Sequence, residues 1–336
     1  MTATIKDVAR RANTSTATVS KVMNGSYSIS QATIDRVNQA MEELDYHPNM
    51  RAMNFSKQKS GVVIWISVLE KNSGFTNQHM FEIMCGLEKT LAEKGYMLIV
   101  KSMTKEDALD FVKEVYRQKQ ADGFVIHASV ASKELDALIE KEQIPHLVVG
   151  MPDFISSFCW IDVDNRLAGQ MAAKYLLEKD YQKVSFIGGT EEDKISMHRL
   201  EGVMAVLNEH DLILPKNHLY HGKSDCDSGY EMTKELVASG DKPDAIICAN
   251  NYIAYGCIEA LKDLNIKIPE DMGVISFDEY PFSKILKPEL TVVNIDVYDL
   301  GIQAGKYINQ KIKKNNLHIQ SYITVPNLVE RASTMR

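Results

Sequence analysis

The sequence predicts two structural classes in one chain: a small all-α helix-turn-helix headpiece, then an α/β core of two doubly wound parallel-sheet lobes. Three observations predict it. Residues 4–24 read as two short helices about a tight turn. From Val62 onward, apolar strands alternate with amphipathic helices, the pattern of parallel sheets covered by helices on both faces. Seven or more such strands over roughly 270 residues make two lobes a better fit than one very wide sheet.

Thr4 caps the first helix, and Asp7 completes a capping box at the positive end of its dipole. Val8, Ala9 and Ala12 form its apolar stripe, and Asn13 suits a left-handed turn. Ser15 caps the second helix, which buries Val19, Val22 and Met23. Its other face, Thr16, Ala17, Ser20, Lys21 and Asn24, is slim and polar, as a helix entering a DNA major groove must be. A polar loop over residues 25–29 leads to Ser30, which caps a third helix carrying Ile34, Val37, Met41 and Leu44 at helical spacing. Pro48 follows, then a short segment, 49–56, and a linker ending at Gly61.

Strands are expected at Val62–Leu69, Met97–Lys101, Gly123–His127, His146–Gly150, Val184–Gly188, Ala245–Ala249 and Val274–Phe277. Helices are expected near 79–94, 106–119, 133–142, 166–179, 199–210, 227–239 and 252–264. Met80, Met84 and Met97 read as core filler.

A chain of 336 residues predicts two or three domains. Residues 1–60 hold eight Lys/Arg against five Asp/Glu, leaving 30 cations against 40 acids in the rest. A basic head on an acidic body suits a protein that presents one end to nucleic acid. No apolar run approaches the ~20 residues of a membrane span, and no signal segment opens the chain, so a cytoplasmic location is expected. The five cysteines (85, 159, 226, 248, 257) lack a Cys-x-x-Cys pair and read as reduced thiols. Phosphate-loop, dinucleotide and nucleophile-elbow motifs are absent, and the nine His lack metal-ligand spacing. No enzyme activity, cofactor or metal is expected.

The segment Thr4–Asn24, the Tyr46-His47-Pro48-Asn49 turn and Ala52 resemble the LacI/GalR transcriptional repressors. So do Asp164-Asn165, Phe186-Ile187-Gly188-Gly189, Arg199-Leu200-Glu201-Gly202, Pro269-Glu270-Asp271, Phe277-Asp278-Glu279, Pro288-Glu289-Leu290-Thr291 and Val329-Glu330-Arg331. The resemblance implies a headpiece over 1–47, a hinge helix and linker over 48–60, and a periplasmic binding protein-like core over 61–336. The N-lobe would span about 61–159 and 294–320, the C-lobe about 160–292 and 321–332. The three crossings would fall near Trp160–Ile161, Val292–Asn294 and Gln320–Tyr322. Thr4, Ile5, Ser15, Thr16, Ala17, Thr18, Ser20, Lys21, Asn24, Asn49, Ala52 and Phe55 would bind DNA, with Phe55 wedging a central base step. Arg199, Asn250 and Asp278 would hold the effector, with Phe81, Tyr252 and Tyr280 packing on its apolar face. Three positions depart from the family: Phe55 replaces a hinge Leu, Ser224 an aromatic platform, and Gly150 the acid of lactose-repressor-like sugar binders.

The expected protein is therefore a homodimeric repressor on a near-palindromic double-stranded DNA operator, controlled by a sugar-like small molecule. Two alternatives stay open. Control can come from a phosphoprotein corepressor, which Gly150 and Ser224 allow. The chain can also be a cytoplasmic sugar-binding protein without DNA function. No membrane partner is expected.

Overall fold

The computed structural model describes residues 3–23, 29–47, 59–69, 78–316 and 322–336. The chain divides into two compact units, Met1–Val62 with Val115–Asp122, and Val63–Glu114 with Gly123–Arg336.

In the first unit, helices α1 (Ile5–Arg11), α2 (Thr16–Met23) and α3 (Gln31–Glu43) surround a small core of Val8, Ala9, Ala12, Val19, Val37 and Ala40. The capping box forms: the Thr4 N–H and hydroxyl both donate to the Asp7 carboxylate, at 3.0 and 2.6 Å. Asn13 takes φ 47°, and Thr14 N–H donates to Ala9 O, closing α1 with a Schellman turn. Ser15 Oγ accepts from Thr18 N–H at 3.1 Å, as an N-cap should. Ser30 stands at the N-cap of α3, but its hydroxyl meets the Thr33 hydroxyl at 3.0 Å instead of a backbone N–H, so the expected side-chain cap is absent. The hinge segment 48–58, and with it Asn49, Ala52 and Phe55, lies outside the described residues, as does Asn24.

The second unit holds two six-stranded sheets. The first contains β1 (Val62–Ser67), β2 (Met97–Ser102), β3 (Gly123–His127), β4 (His146–Val149), β5 (Trp160–Val163) and β11 (Tyr322–Thr324), ordered β11-β5-β4-β3-β1-β2. The second contains β6 (Val184–Gly188), β7 (Leu219–His221), β8 (Ala245–Cys248), β9 (Gly273–Phe277), β10 (Thr291–Asn294) and β12 (Asn327–Val329), ordered β12-β10-β9-β8-β6-β7. The recorded pairings are parallel except β10 with β12. The central strands are buried on both faces, as helix-covered parallel sheets require.

The first lobe is covered by α4 (Gln78–Glu93), α5 (Lys105–Arg117), α6 (Lys133–Glu142) and α12 (Val297–Lys313). The second is covered by α7 (Asn165–Glu178), α8 (Lys194–Glu209), α9 (Cys226–Ala238) and α10 (Asn251–Asp263), with a short α11 (Pro281–Ile285). Helix α8 starts five residues before the expected 199, because Asp193 accepts from Ser196 N–H and caps it at Lys194.

The lobe boundaries differ from expectation by a few residues. All of β5 pairs in the first sheet, so the first crossing follows Val163 instead of lying near Trp160–Ile161. The second follows Asn294, beyond the end of β10, and the third lies between Thr324 and Asn327, not at Gln320–Tyr322. Each segment completes a ladder with its neighbours before it leaves, which satisfies its buried backbone groups. Met97 is a further correction: it is 65% exposed on the edge strand β2, while Met80 is buried. The five cysteines are free thiols, and Cys159, Cys248 and Cys257 are buried.

Two histidines, His146 and His127, predict an acid-sensitive first lobe. His146 Nε2 accepts from Cys159 N–H at 3.0 Å, so Nδ1 carries the proton and donates to Ile144 O at 2.9 Å. Burial lowers the pKa of His146 to about 4, and burial also lowers that of His127 to about 4. The unfolded chain then binds more protons than the fold between about pH 4 and 6.5, so stability falls as pH falls through that window. The expected slope is about 1.4 kcal/mol per pH unit for each group. Chemical denaturation at pH 7, 6 and 5 checks this. His146→Gln should flatten the dependence, and an unchanged slope in that variant would remove His146 as its source.

Candidate functional site

On α2 the structure exposes Thr16, Ala17 and Lys21, with Ser20 half-buried. Four predicted DNA contacts also have duties within the headpiece. The Ser15 and Thr18 hydroxyls meet at 2.9 Å within the helix cap. Ile5 packs against the headpiece core, and the Thr4 hydroxyl is held by Asp7. The predicted residues of α2 that are exposed and take no part in the Ser15–Thr18 cap are therefore Thr16, Ala17 and Lys21. Lys21 is the basic residue in the last turn of α2.

The second candidate site lies in the core, at the C-terminal ends of the strands, where open α/β sheets bind ligands. Its centre is Arg199, 1% exposed on α8. Arg199 Nε donates to Asn165 Oδ1 at 3.1 Å and Nη1 to Ala249 O at 2.7 Å. Its guanidinium pairs with Asp278 at 3.3 Å and lies over the Phe277 ring, 4.4 Å from the centroid. Asp278 follows β9 with φ +67°, and its N–H donates to Val293 O at 3.0 Å. The other described non-glycine residues with positive φ close helices or turns, but Asp278 bends the end of a strand. Aspartate tolerates that left-handed backbone better than most residues, and the bend sets its carboxylate against Arg199.

Helix packing delivers Arg199 to this place. A Cβ on Gly169 would come within 1.9 Å of Arg199 O, and one on Gly202 within 2.0 Å of Arg166 O. Only glycine at both positions lets α7 and α8 approach backbone to backbone. That contact brings Asn165, at the start of α7, to the Arg199 side chain.

Two adjoining cavities open here. The inner, about 290 Å³, is lined among others by Gln78, His79, Asp193, Arg199, Ser224, Asn250, Tyr252, Asp278 and Tyr280. The outer, about 990 Å³, is lined by His79, Ile83, His127, Gly150, Met151, Phe154, Asp162, Ile195 and His198, among others. His79, Asp193 and Ile195 border both. Asn250 Oδ1 caps α10 by accepting from Ile253 N–H at 2.8 Å, which leaves its NH2 group for the chamber. Tyr252 stands edge-on to Tyr255 at 5.9 Å. Tyr280 is buried, and both burial and the Asp278 charge push its phenol pKa up.

Five of the six predicted effector residues thus share one chamber. Phe81 does not: it is 49% exposed and lines neither cavity. Met80, Ile83, Leu87 and Leu91 make the buried stripe of α4, and position 81 falls off that stripe.

The sequence reading missed Gln78, His79, His127, Asp162 and His198. For His127 and Asp162 a signal existed, since they lie at the ends of β3 and β5. Asp162 accepts from Met151 N–H at 2.9 Å and from Val163 N–H at 2.7 Å, while burial pushes its pKa up. It brings to the outer chamber the carboxyl group that Gly150 lacks, from the neighbouring strand. Burial lowers the pKa of His79, opposed by the charge of Asp278. Ser224 donates to Asp193 at 2.8 Å and is no platform for a ring.

Comparison with known proteins agrees with both halves. Residues 4–49 match the family described as bacterial regulatory proteins, lacI family, and residues 173–334 match the periplasmic binding protein-like domain. The HTH-type transcriptional repressor PurR of Salmonella newport is 30% identical over 339 residues, covering 98% of this chain and 96% of its own. Catabolite control protein A of Staphylococcus epidermidis is 28% identical over 340 residues, covering 99% of both. The lac repressor dimer bound to operator and the anti-inducer ONPF shares the fold, with a TM-score of 0.84 at 20% identity over 100% of both chains. Among the described residues, no helix is long and apolar enough to cross a membrane. With a headpiece that matches this family and a relative 30% identical over nearly the whole chain, the chain belongs to the lacI family of bacterial regulatory proteins and is a DNA-binding transcriptional regulator.

Proposed function

We propose that this regulator is a cytoplasmic homodimeric repressor whose affinity for a near-palindromic operator is set by a small carbohydrate-like effector in the core cleft. The observation that carries the effector half is the buried Arg199–Asp278 pair beside Asn250 and Tyr280. A carboxylate, a guanidinium, an amide and a phenol on one wall supply the donors and acceptors that vicinal hydroxyls need. Edge strand β2, with Met97, Ile99 and Val100 exposed, offers an apolar surface for a second copy. The headpiece, hinge and DNA contacts, including Asn24, Asn49, Ala52 and Phe55, belong to this proposal. The test is an operator gel shift with and without sugars that raise the melting temperature, together with sedimentation of the free protein. An operator complex indifferent to every stabilising sugar would refute effector control.

Lys21 is the side chain expected to matter most on α2. Lys21→Ala should weaken operator binding by about 1–3 kcal/mol if it reads a base edge. If it meets a phosphate, all sequences should weaken alike and the salt slope should fall by about one. The melting temperature should not move, because Lys21 is exposed. Wild-type operator affinity at physiological salt would exclude it from the interface.

One observation favours a second reading, control by a phosphoprotein corepressor. Ser224 is tied to Asp193 and gives a sugar ring nothing to stack on. Capture of a phosphoprotein by the wild-type dimer, with operator affinity rising on its addition, would favour that reading over the sugar.

A further inference from the structure

The charge balance of the cleft bears on what kind of molecule it accepts. Among the described residues lining the inner chamber, Arg199 is the single lysine or arginine, and its charge is already balanced by Asp278 at 3.3 Å. Asp193 and Asp278 line the same space, and burial keeps His79 toward its neutral form. A phosphate needs charge-assisted donors. Here it would find one guanidinium, already paired with a carboxylate, and a second carboxylate beside it. The outer chamber is lined by two lysines, Lys105 and Lys194, against four carboxylates, Asp153, Asp162, Glu192 and Asp193, and Lys194 is ion-paired with Asp153 at 3.1 Å.

Hydroxyl groups, by contrast, are provided for. Tyr280 Oη and Gln78 Oε1 are both buried without a hydrogen-bond partner, and both residues line the inner chamber. One is an acceptor and the other donates or accepts, so a neutral hydroxyl satisfies each. The inner chamber is at the small end of ligand pockets, which run from ~300 to ~1,000 Å³. The outer chamber is at the large end, and Met80, Ile83, Val149, Met151, Phe154 and Ile195 make much of its wall apolar.

We propose that the effector is an uncharged glycoside: one ring places its hydroxyls against Gln78, Tyr280 and the Arg199–Asp278 pair, and a substituent with an apolar face fills the outer chamber. This rests on the cleft being the effector site. Titration calorimetry on the full-length protein tests it with four matched sets of probes: free hexoses, their phenyl glycosides, neutral disaccharides and hexose 6-phosphates. A phenyl glycoside or disaccharide should bind at least tenfold more tightly than both its free hexose and the matching phosphate. Tyr280→Phe and Gln78→Ala should each weaken that binding about tenfold, while the unliganded melting temperature stays level or rises. A phosphate that binds as tightly as its neutral counterpart overturns the proposal, and so does a free hexose that matches its glycoside. Both results leave the cleft itself as the site. If no probe binds, or if binding survives Asp278→Asn undiminished, the cleft reading fails and the proposal falls with it.

Discussion

Asp278→Ala is expected to destabilise the core by about 3–5 kcal/mol, because it strands a buried guanidinium without its carboxylate. Arg199 would keep Asn165 and Ala249 O as partners, yet neither carries charge. The Ala variant also places a side chain poorly suited to φ +67° at the end of β9. Asp278→Asn separates these effects, since Asn tolerates the left-handed backbone and keeps the shape. Asn should recover part of the lost stability and still fail to bind the effector, because a desolvated Arg199 without a counter-charge cannot pair with hydroxyls in the same way. Thermal melts with and without a stabilising sugar measure both quantities. A full ligand response in the Asn variant would move the effector site elsewhere.

Gly169→Ala should cost about 3 kcal/mol, a large penalty for one methyl group. The added Cβ would sit 1.9 Å from Arg199 O, so α8 must shift away from α7. That shift takes Arg199 from Asn165, and ligand affinity should fall together with stability. Gly240→Ala is the control. Gly240 has φ +80° with open space around it, so Ala there incurs only the left-handed penalty of about 1–2 kcal/mol. Equal stability losses in the two variants would show that steric contact between α7 and α8 is not what constrains position 169.

The sequence by itself determined the headpiece almost completely. Capping residues, a left-handed Asn13 and apolar spacing act within one turn of helix, so Thr4, Asp7, Ser15 and the buried Val8 and Val19 were legible one by one. The strand and helix alternation was legible for the same local reason. Helix α12 was not among the expected elements, although its buried positions Leu300, Ala304 and Ile308 keep helical spacing. What only the tertiary structure decided is the cleft. Arg199 and Asp278 are 79 residues apart and meet because α8 packs on α7 through paired glycines while β9 ends in a left-handed residue. Gln78, His79, His127, Asp162 and His198 look like ordinary polar residues in the chain, and two lobes must fold before they border one space. Phe81 shows the converse: an aromatic near the right helix points off the buried stripe, since its direction is set by α4 packing on α12. Local rules act over three or four residues, whereas a binding site is assembled from strand ends and helix starts that only the closed sheets bring together.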